Sequence, residues 1–453
     1  MTWNSLWSCA VWVQVLNNNN HMTTETLIAA NPAKKESRVY YAEFWRFAFT
    51  ALLCLYHLEI FFARPVRLLP SGTTAVEFFF ILAGFTIATT ATNKITALGL
   101  RGLDTRESHK MAISFVKKKL IAIYPVLAFG LVIALVIIPL IPQLQFPAFR
   151  GAAFTQPASF WEQFLGRINV LISSEWEWLM MVGSPMGHGT VGYAYLSAPI
   201  VPLWFLTPLF TIGYLYSFLM HRKYDLMMFL APLIAVLGHI YFALHTQISF
   251  SFNTQMGIFD AGAMRAVSQM ALGISIFQLY QYLSGRNWTL PKKIFLQIIE
   301  LFVLYRFFVL TYMAGVGYDN YRRIPYVAIL VLLAFVKMTF LSNLLNRKFM
   351  EKLGKISLAM FIIHHPLAVA YFALMTRINS GAGARNLPMF LRRTAGTDEF
   401  MRAIPLSWGD VVLYLGSVII LSVIIYAIIE GIKVLISKAR KKTILASSPN
   451  SSM

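Results

Sequence analysis

The sequence predicts an all-α fold: a polytopic membrane bundle of about ten transmembrane helices with both termini cytoplasmic. Three observations predict it. Hydrophobic residues make up 57% of the 453 residues and charged residues only 13%, against about 25% charged in a soluble domain. A water-soluble fold of this length has too much surface to hide so much apolar material. Ten stretches are long and apolar enough to cross a hydrocarbon core, which takes about 20 helical residues. Lys and Arg favour one side of those stretches by roughly two to one, which orients the chain.

The stretches lie near 42–63, 73–93, 119–140, 199–220, 226–245, 262–283, 294–313, 324–344, 356–376 and 409–432. Backbone groups in lipid have no water to bind, so each stretch reads as a helix. The cytoplasmic side holds Lys34, Lys35 and Arg38, then Lys94, Arg101, Arg106, Lys110 and Lys117 to Lys119. It continues with Arg222 and Lys223, with Arg286, Lys292 and Lys293, with Arg347, Lys348, Lys352 and Lys355, and with the tail from Lys433. The opposite side holds chiefly Arg64, Arg67, Arg322, Arg323 and a group at 377–402 that runs against the rule.

Three regions follow. Residues 1–38 read as an N-terminal extension, disordered or partly non-native. Trp3, Trp7, Trp12 and an Asn run precede Met22, which looks like the more natural start. Residues 39–436 form the membrane domain, with long outer loops at 141–198 and 377–408. Residues 437–453 read as a disordered cytoplasmic tail, polar and Ser-rich at its end. The first loop carries Trp161, Trp176, Trp178 and His188. Aromatic rings stack on sugar faces, so Trp176 is a candidate acceptor platform; such residues also suit the headgroup belt.

The net charge of +20 does not point to nucleic acid. The cations form short clusters between apolar runs, with no basic face and no aromatic RNA motif. They serve topology and attraction to anionic membrane lipid. The two cysteines, Cys9 and Cys54, make neither a disulfide framework nor a metal-ligand spacing, and no metal is expected.

Ionisable residues inside membrane helices are costly and point to function. The first stretch has Glu43, Arg46 and His57. Arg46 and His57 are eleven residues apart, about 20° past three full turns, so they share a face about 16 Å apart in rise. Glu43, three residues before Arg46, can pair with it. Each residue alone fits a bland reading, a buried His bonded to backbone and a snorkelling Arg; together they mark a cavity, with a cation at its cytoplasmic end and an imidazole near mid-membrane. Glu77 opens the second stretch, and an isolated buried carboxylate needs a partner. His57 at matching depth is the expected one, and a carboxylate there would orient the ring as a base. Arg265 is expected to pair with Asp260, and Arg306 stands mid-helix without a sequence partner.

The Arg46-x10-His57 spacing followed by Glu77-Phe-Phe-Phe-Ile-Leu-Ala-Gly-Phe85 resembles the acyltransferase 3 family of membrane acyltransferases. Leu203-Trp204-Phe205-Leu206 is similar to the Trp-containing start of its middle span. Gly354-Lys355-Ile356-Ser357, with His364 seven residues on, resembles its Gly-Lys-Ile-Ser…His segment. The resemblance covers roughly residues 40–435. It implies transfer of an acyl group, commonly acetyl from acetyl-CoA or another acyl-CoA, to a hydroxyl of a surface glycan or glycolipid. It implies that His57 is the catalytic histidine and that Arg46 shares its site. It also implies a donor-binding Arg-x-x-Arg before a Pro. Here Lys119 and Ala122 stand at those positions, followed by Pro125, so Lys117, Lys118 and Lys119 together with Arg46 are the candidates for the CoA phosphates. Phe361 replaces the usual Tyr, Ala83 the usual Ser, and Glu77 the frequent Asp.

The expected function is therefore a membrane O-acyltransferase with His57 as general base, assisted by Glu77 and Arg46. Ser357, His364, Trp204 and Trp176 are candidate substrate contacts. The expected setting is a bacterial inner (plasma) membrane, alongside glycan-biosynthesis machinery. The alternative is a transporter or flippase for a glycan, lipid or small organic acid. Such a protein also places charges inside the membrane, often within inverted repeats, and no repeat is visible here. An acyltransferase acting on a lipid or protein differs only in its acceptor.

Overall fold

In this computed structural model a helix occupies each of the ten predicted stretches. The structure describes residues 39–60, 72, 74–141, 149–150, 153–154, 159–170, 204–245, 255–256, 259–284, 286, 288–313, 320–379 and 406–447. The N-terminal extension to residue 38, Trp176, most of the two long outer loops and Arg64 and Arg67 lie outside them.

The helices are α1 (Tyr40–Ile60), α2 (Thr74–Leu98), α3 (Thr105–Leu140), α4 (Phe160–Val170), α5 (Leu206–Arg222) and α6 (Tyr224–Leu244). They continue as α7 (Ala261–Ser284), α8 (Leu290–Met313), α9 (Asn320–Val336), α10 (Phe340–Leu345), α11 (Lys348–Asn379) and α12 (Trp408–Ser447). Two antiparallel ladders of two residues each join Phe149–Arg150 to Ala153–Phe154 and Gln255–Met256 to Phe259–Asp260.

Local chemistry explains several boundaries. α3 starts fourteen residues before its apolar stretch because Asp104 caps it, accepting from the Glu107 amide at 2.8 Å; a carboxylate there satisfies an orphan donor and suits the helix dipole. Lys117 to Lys119 are therefore helical rather than in a loop. Pro139 lacks an amide hydrogen, and the turn before it widens to a π-type turn over Ile133–Ile137, a known accommodation in apolar helices. α12 runs on to Ser447. Residues 437–447, read as part of a disordered tail, are thus helical, and their Lys, Arg, Ala and Leu are good helix formers.

Six of these helices, α2, α3, α6, α8, α11 and α12, are long and apolar enough to cross a membrane. Of the remaining six, α4 and α10 are short, and the other four fall short for visible reasons. α5 and α9 have 17 residues each, α1 carries Glu43, Arg46, His57 and Glu59, and α7 carries Arg265 and Gln269. Burial separates inside from outside: 78% of the apolar window of α11 and 72% of that of α2 are buried, against 22% for α6. On α6 the exposed face is Phe229, Leu233, Val236, Leu237, Ile240 and Leu244. A stripe of that size is a liability in water and the natural surface toward lipid. The protein is an integral membrane helix bundle.

Two helix pairs position the site. α2 and α7 run parallel and nearly touch: a Cβ on Gly84 would collide with the Met270 carbonyl, and one on Gly273 with the Ile81 carbonyl. Small residues let helix backbones approach this closely in membranes. α1 and α11 also run parallel. The Tyr40 amide donates to Asn346 just before α11, and further along His57 meets His364. α12 lies antiparallel beside α11, with the Tyr414 hydroxyl donating to the His364 carbonyl at 2.9 Å and Tyr371 donating to Asp410.

Candidate active site

The basic end of the bundle assembles the first group of expected residues. The Arg46 Nη1 donates to Glu43 Oε2 at 2.7 Å, as the three-residue spacing requires. Glu43 is buried because Gly354 on α11 leaves room for it; any Cβ there would strike the carboxylate. Lys119 is within Coulombic range of both Arg46 and Glu43 and lies over the Phe115 ring. Lys117 and Lys118 are exposed beside it. Arg46 and Lys119 thus flank Glu43, and Lys117 and Lys118 lie next to Lys119 on the same helix. Ser357 sits inside α11, donating to the Gly354 carbonyl at 2.7 Å.

His57 and His364 are buried together at the other end of α1. Their ring centroids are 4.8 Å apart, and His364 Nε2 lies 3.1 Å from His57 Nδ1. The partners assign the tautomers. His364 Nδ1 faces the Phe361 carbonyl at 2.7 Å and the Met360 carbonyl at 3.1 Å. A carbonyl only accepts, so that nitrogen carries the hydrogen and His364 Nε2 holds a lone pair. His57 Nδ1 faces this lone pair and the Leu53 carbonyl at 3.0 Å. Both are acceptors, so the hydrogen of neutral His57 is on Nδ1 and the basic lone pair on Nε2. His57 lies in the last turn of α1 as described.

The expected contact between Glu77 and His57 is not made. Glu77 Oε1 accepts from Arg265 Nε at 2.6 Å, with both side chains almost fully buried. A full guanidinium charge compensates a buried carboxylate better than a neutral ring does. Depth alone had suggested His57, and depth says nothing about which way around α2 a side chain points. Arg265 is held by Glu77, and the Trp204 ring lies 5.5 Å from its guanidinium carbon; the expected pairing with Asp260 lies outside the described side chains. Glu77 Oε2 has no hydrogen-bond partner among the described residues.

Three residues, Arg323, Glu59 and Gln269, escaped the sequence reading as site residues, whereas His365 beside His364 was noted. Arg323, counted there as an outer-loop cation, lies in the first turn of α9, fully buried, and donates to Thr74 at 3.1 Å. Glu59 is buried two residues past His57, and His365 packs near His57 with centroids 6.0 Å apart. Gln269, one turn beyond Arg265, is fully buried with no partner for either amide atom among the described residues. The usable signal was polarity inside an apolar stretch, applied to Arg265 and not to its neighbour. Arg306 is half-buried on α8. Among the described residues no three His, Cys, Asp or Glu side chains converge as metal ligands.

Between the two ends stands an aromatic wall. Phe79 and Phe205 each contact Phe361, and Phe361 contacts His364. Phe49 stacks on Phe78 with centroids 4.3 Å apart. The family model described as "Acyltransferase domain", Acyl_transf_3, matches residues 39–427. The chain belongs to the acyltransferase 3 family. No curated protein and no solved structure matches it. This membrane acyltransferase therefore carries its buried His pair, its Glu–Arg pair and its cationic end within the matched region. The acyltransferase's Phe-Phe-Phe segment on α2 supplies part of the wall separating them.

Proposed function

We propose that the protein transfers an acyl group, best fitted by acetyl, from acyl-CoA at the basic end to a hydroxyl of a glycan or glycolipid at the opposite end. Ten membrane crossings with both termini cytoplasmic, in a bacterial inner membrane, are part of the same proposal. The alternation of helix directions and the concentration of cations at one end support it. Acyl-CoA carries several phosphates, which the group of Arg46, Lys117, Lys118 and Lys119 suits.

The single observation that carries the chemistry is the clamp on His57 Nδ1 between the Leu53 carbonyl and His364. It leaves Nε2 as the base. The acceptor oxygen attacks the thioester carbonyl as Nε2 takes its proton. The carbon–sulfur bond then breaks, and the thiolate leaves with the proton from the imidazolium. His364, whose Nε2 accepts from His57, stabilises the charge that forms on the ring. In this scheme Glu77 works on the acceptor side. Its unpartnered Oε2 and the buried Gln269 amide match a polyhydroxy acceptor, since each buried polar atom left unsatisfied costs about 1–3 kcal/mol. In the same scheme Trp204, held against Arg265, contacts the acceptor.

The test is His57→Ala in cells, read by mass spectrometry of surface glycans. Acyl substitution is expected to vanish, with a loss of about 10²–10⁴ in transfer rate for the purified protein. Retained acylation at wild-type level would remove His57 as the base. Loss of glycan export with acylation intact would favour a transporter.

A further inference from the structure

A cavity of about 290 Å³ opens at the basic end, away from the residues used above. It lies between the turn joining α7 to α8 and the turn joining α9 to α10. Arg286, Trp288, Lys293, Lys337, Met338 and Asn343 line it. We propose that this cavity binds the phosphate headgroup of an anionic membrane phospholipid.

Charge is the first argument. Three of the six lining residues are cations, and no Asp or Glu occurs between Asp260 and Glu300 or between Asp319 and Glu351. Arg286 and Lys293 have no carboxylate partner among the described residues. Lys293 stands in the first turn of α8, where the positive end of the helix dipole repels a cation and attracts an anion. Lys337 takes a left-handed backbone, φ 56°, a conformation that disfavours any side chain and is kept where surrounding structure holds it.

Construction is the second argument. The Arg286 guanidinium stacks on Tyr282 at 3.9 Å from the ring centroid and donates to its hydroxyl. Trp288 Nε1 donates to the Leu283 carbonyl at 3.0 Å. Gln297 of α8 accepts from the Phe340 amide at 2.6 Å, tying the two walls together. These fixtures hold the lining groups in place without a ligand.

Position chooses the source of the phosphate. The free donor and a lipid headgroup both present phosphate oxygens. Leu290, Ile294, Phe295 and Phe340 beside the cavity are exposed apolar side chains, the surface that acyl chains would cover. Basic pockets between helices on the cytoplasmic side take anionic headgroups. The cations assigned to the donor are on α1 and α3, which pack chiefly against α11 and α5.

The experiment uses the full chain in uncharged detergent. Phosphatidylglycerol or phosphatidylcholine is titrated while thermal unfolding and retained lipid phosphate are read; CoA binding is measured in parallel. Phosphatidylglycerol is expected to raise the melting temperature and phosphatidylcholine to leave it unchanged. The Arg286→Gln plus Lys293→Gln variant should lose about 30-fold in phosphatidylglycerol affinity, roughly fivefold per cation, with CoA binding intact. Lys337→Gly relieves the left-handed backbone, so it should melt higher in lipid-free detergent yet respond less to phosphatidylglycerol. Wild-type lipid retention by the double variant would overturn the proposal. So would loss of CoA binding with the lipid response preserved, which would give the cavity to the donor.

Discussion

At the scale of single residues, the acyltransferase spends its polar side chains in two places and pairs most of them. Glu77 and Arg265 show the cost of doing so. Both are nearly inaccessible, and a buried ion pair hardly exceeds an apolar pair in stability, whereas removing one partner strands the other. Glu77→Gln alone is therefore expected to destabilise by about 3 kcal/mol. The double change Glu77→Leu with Arg265→Met should recover most of that loss while leaving transfer impaired. Thermal unfolding and an activity assay on the same samples separate the two effects; a single variant as stable as wild type would contradict the pairing. The Glu43–Arg46 pair was legible from spacing because both residues share one helix. The Glu77–Arg265 pair joins helices 188 positions apart in sequence, and nothing local announces it.

At the scale of helices, packing rests on the places where backbones meet. Gly84 and Gly273 set the α2–α7 crossing, and that crossing fixes the distance between Glu77 and Arg265. Gly84→Ala places a methyl group against the Met270 carbonyl and should cost about 1–3 kcal/mol through overpacking. Gly416 of α12 offers the contrast, since nothing lies within 4 Å of where its Cβ would stand. Gly416→Ala is expected to be neutral or slightly stabilising, as Ala is the better helix former. Unfolding in detergent of the two variants side by side tests the assignment. A helix does occupy each apolar stretch. The ends were read less well: α3 starts at a cap far outside its apolar stretch, and α12 continues past the last apolar turn, because caps and propensity rather than hydropathy decide where helices stop.

At the scale of the whole molecule, burial sorts the bundle into inner helices that carry chemistry and outer helices that face lipid. Among the six candidate spans, the two most buried, α2 and α11, are also the least apolar, since their polar residues face protein. Topology is the property to measure. In a Cys9→Ser, Cys54→Ala background, single cysteines replacing Lys118 and Lys292 should react with an impermeant maleimide from the cytoplasmic side only. Cysteines replacing Trp161 and Ser407 should react from the outside only. Labelling of positions 118 and 161 from one side would overturn the ten-crossing arrangement.

Sequence alone determined that this is a membrane helix bundle, which family it resembles, and that Arg46 and His57 share a helix face. Those properties are written in hydropathy, motif and the 3.6-residue period, all of which are local. Only the tertiary structure decided what each polar group touches. It gave His57 to His364, Glu77 to Arg265, and Arg323 to the interior. A helix pattern fixes depth and face along one rod, but which rods adjoin, and at what rotation, depends on contacts between segments far apart in the chain.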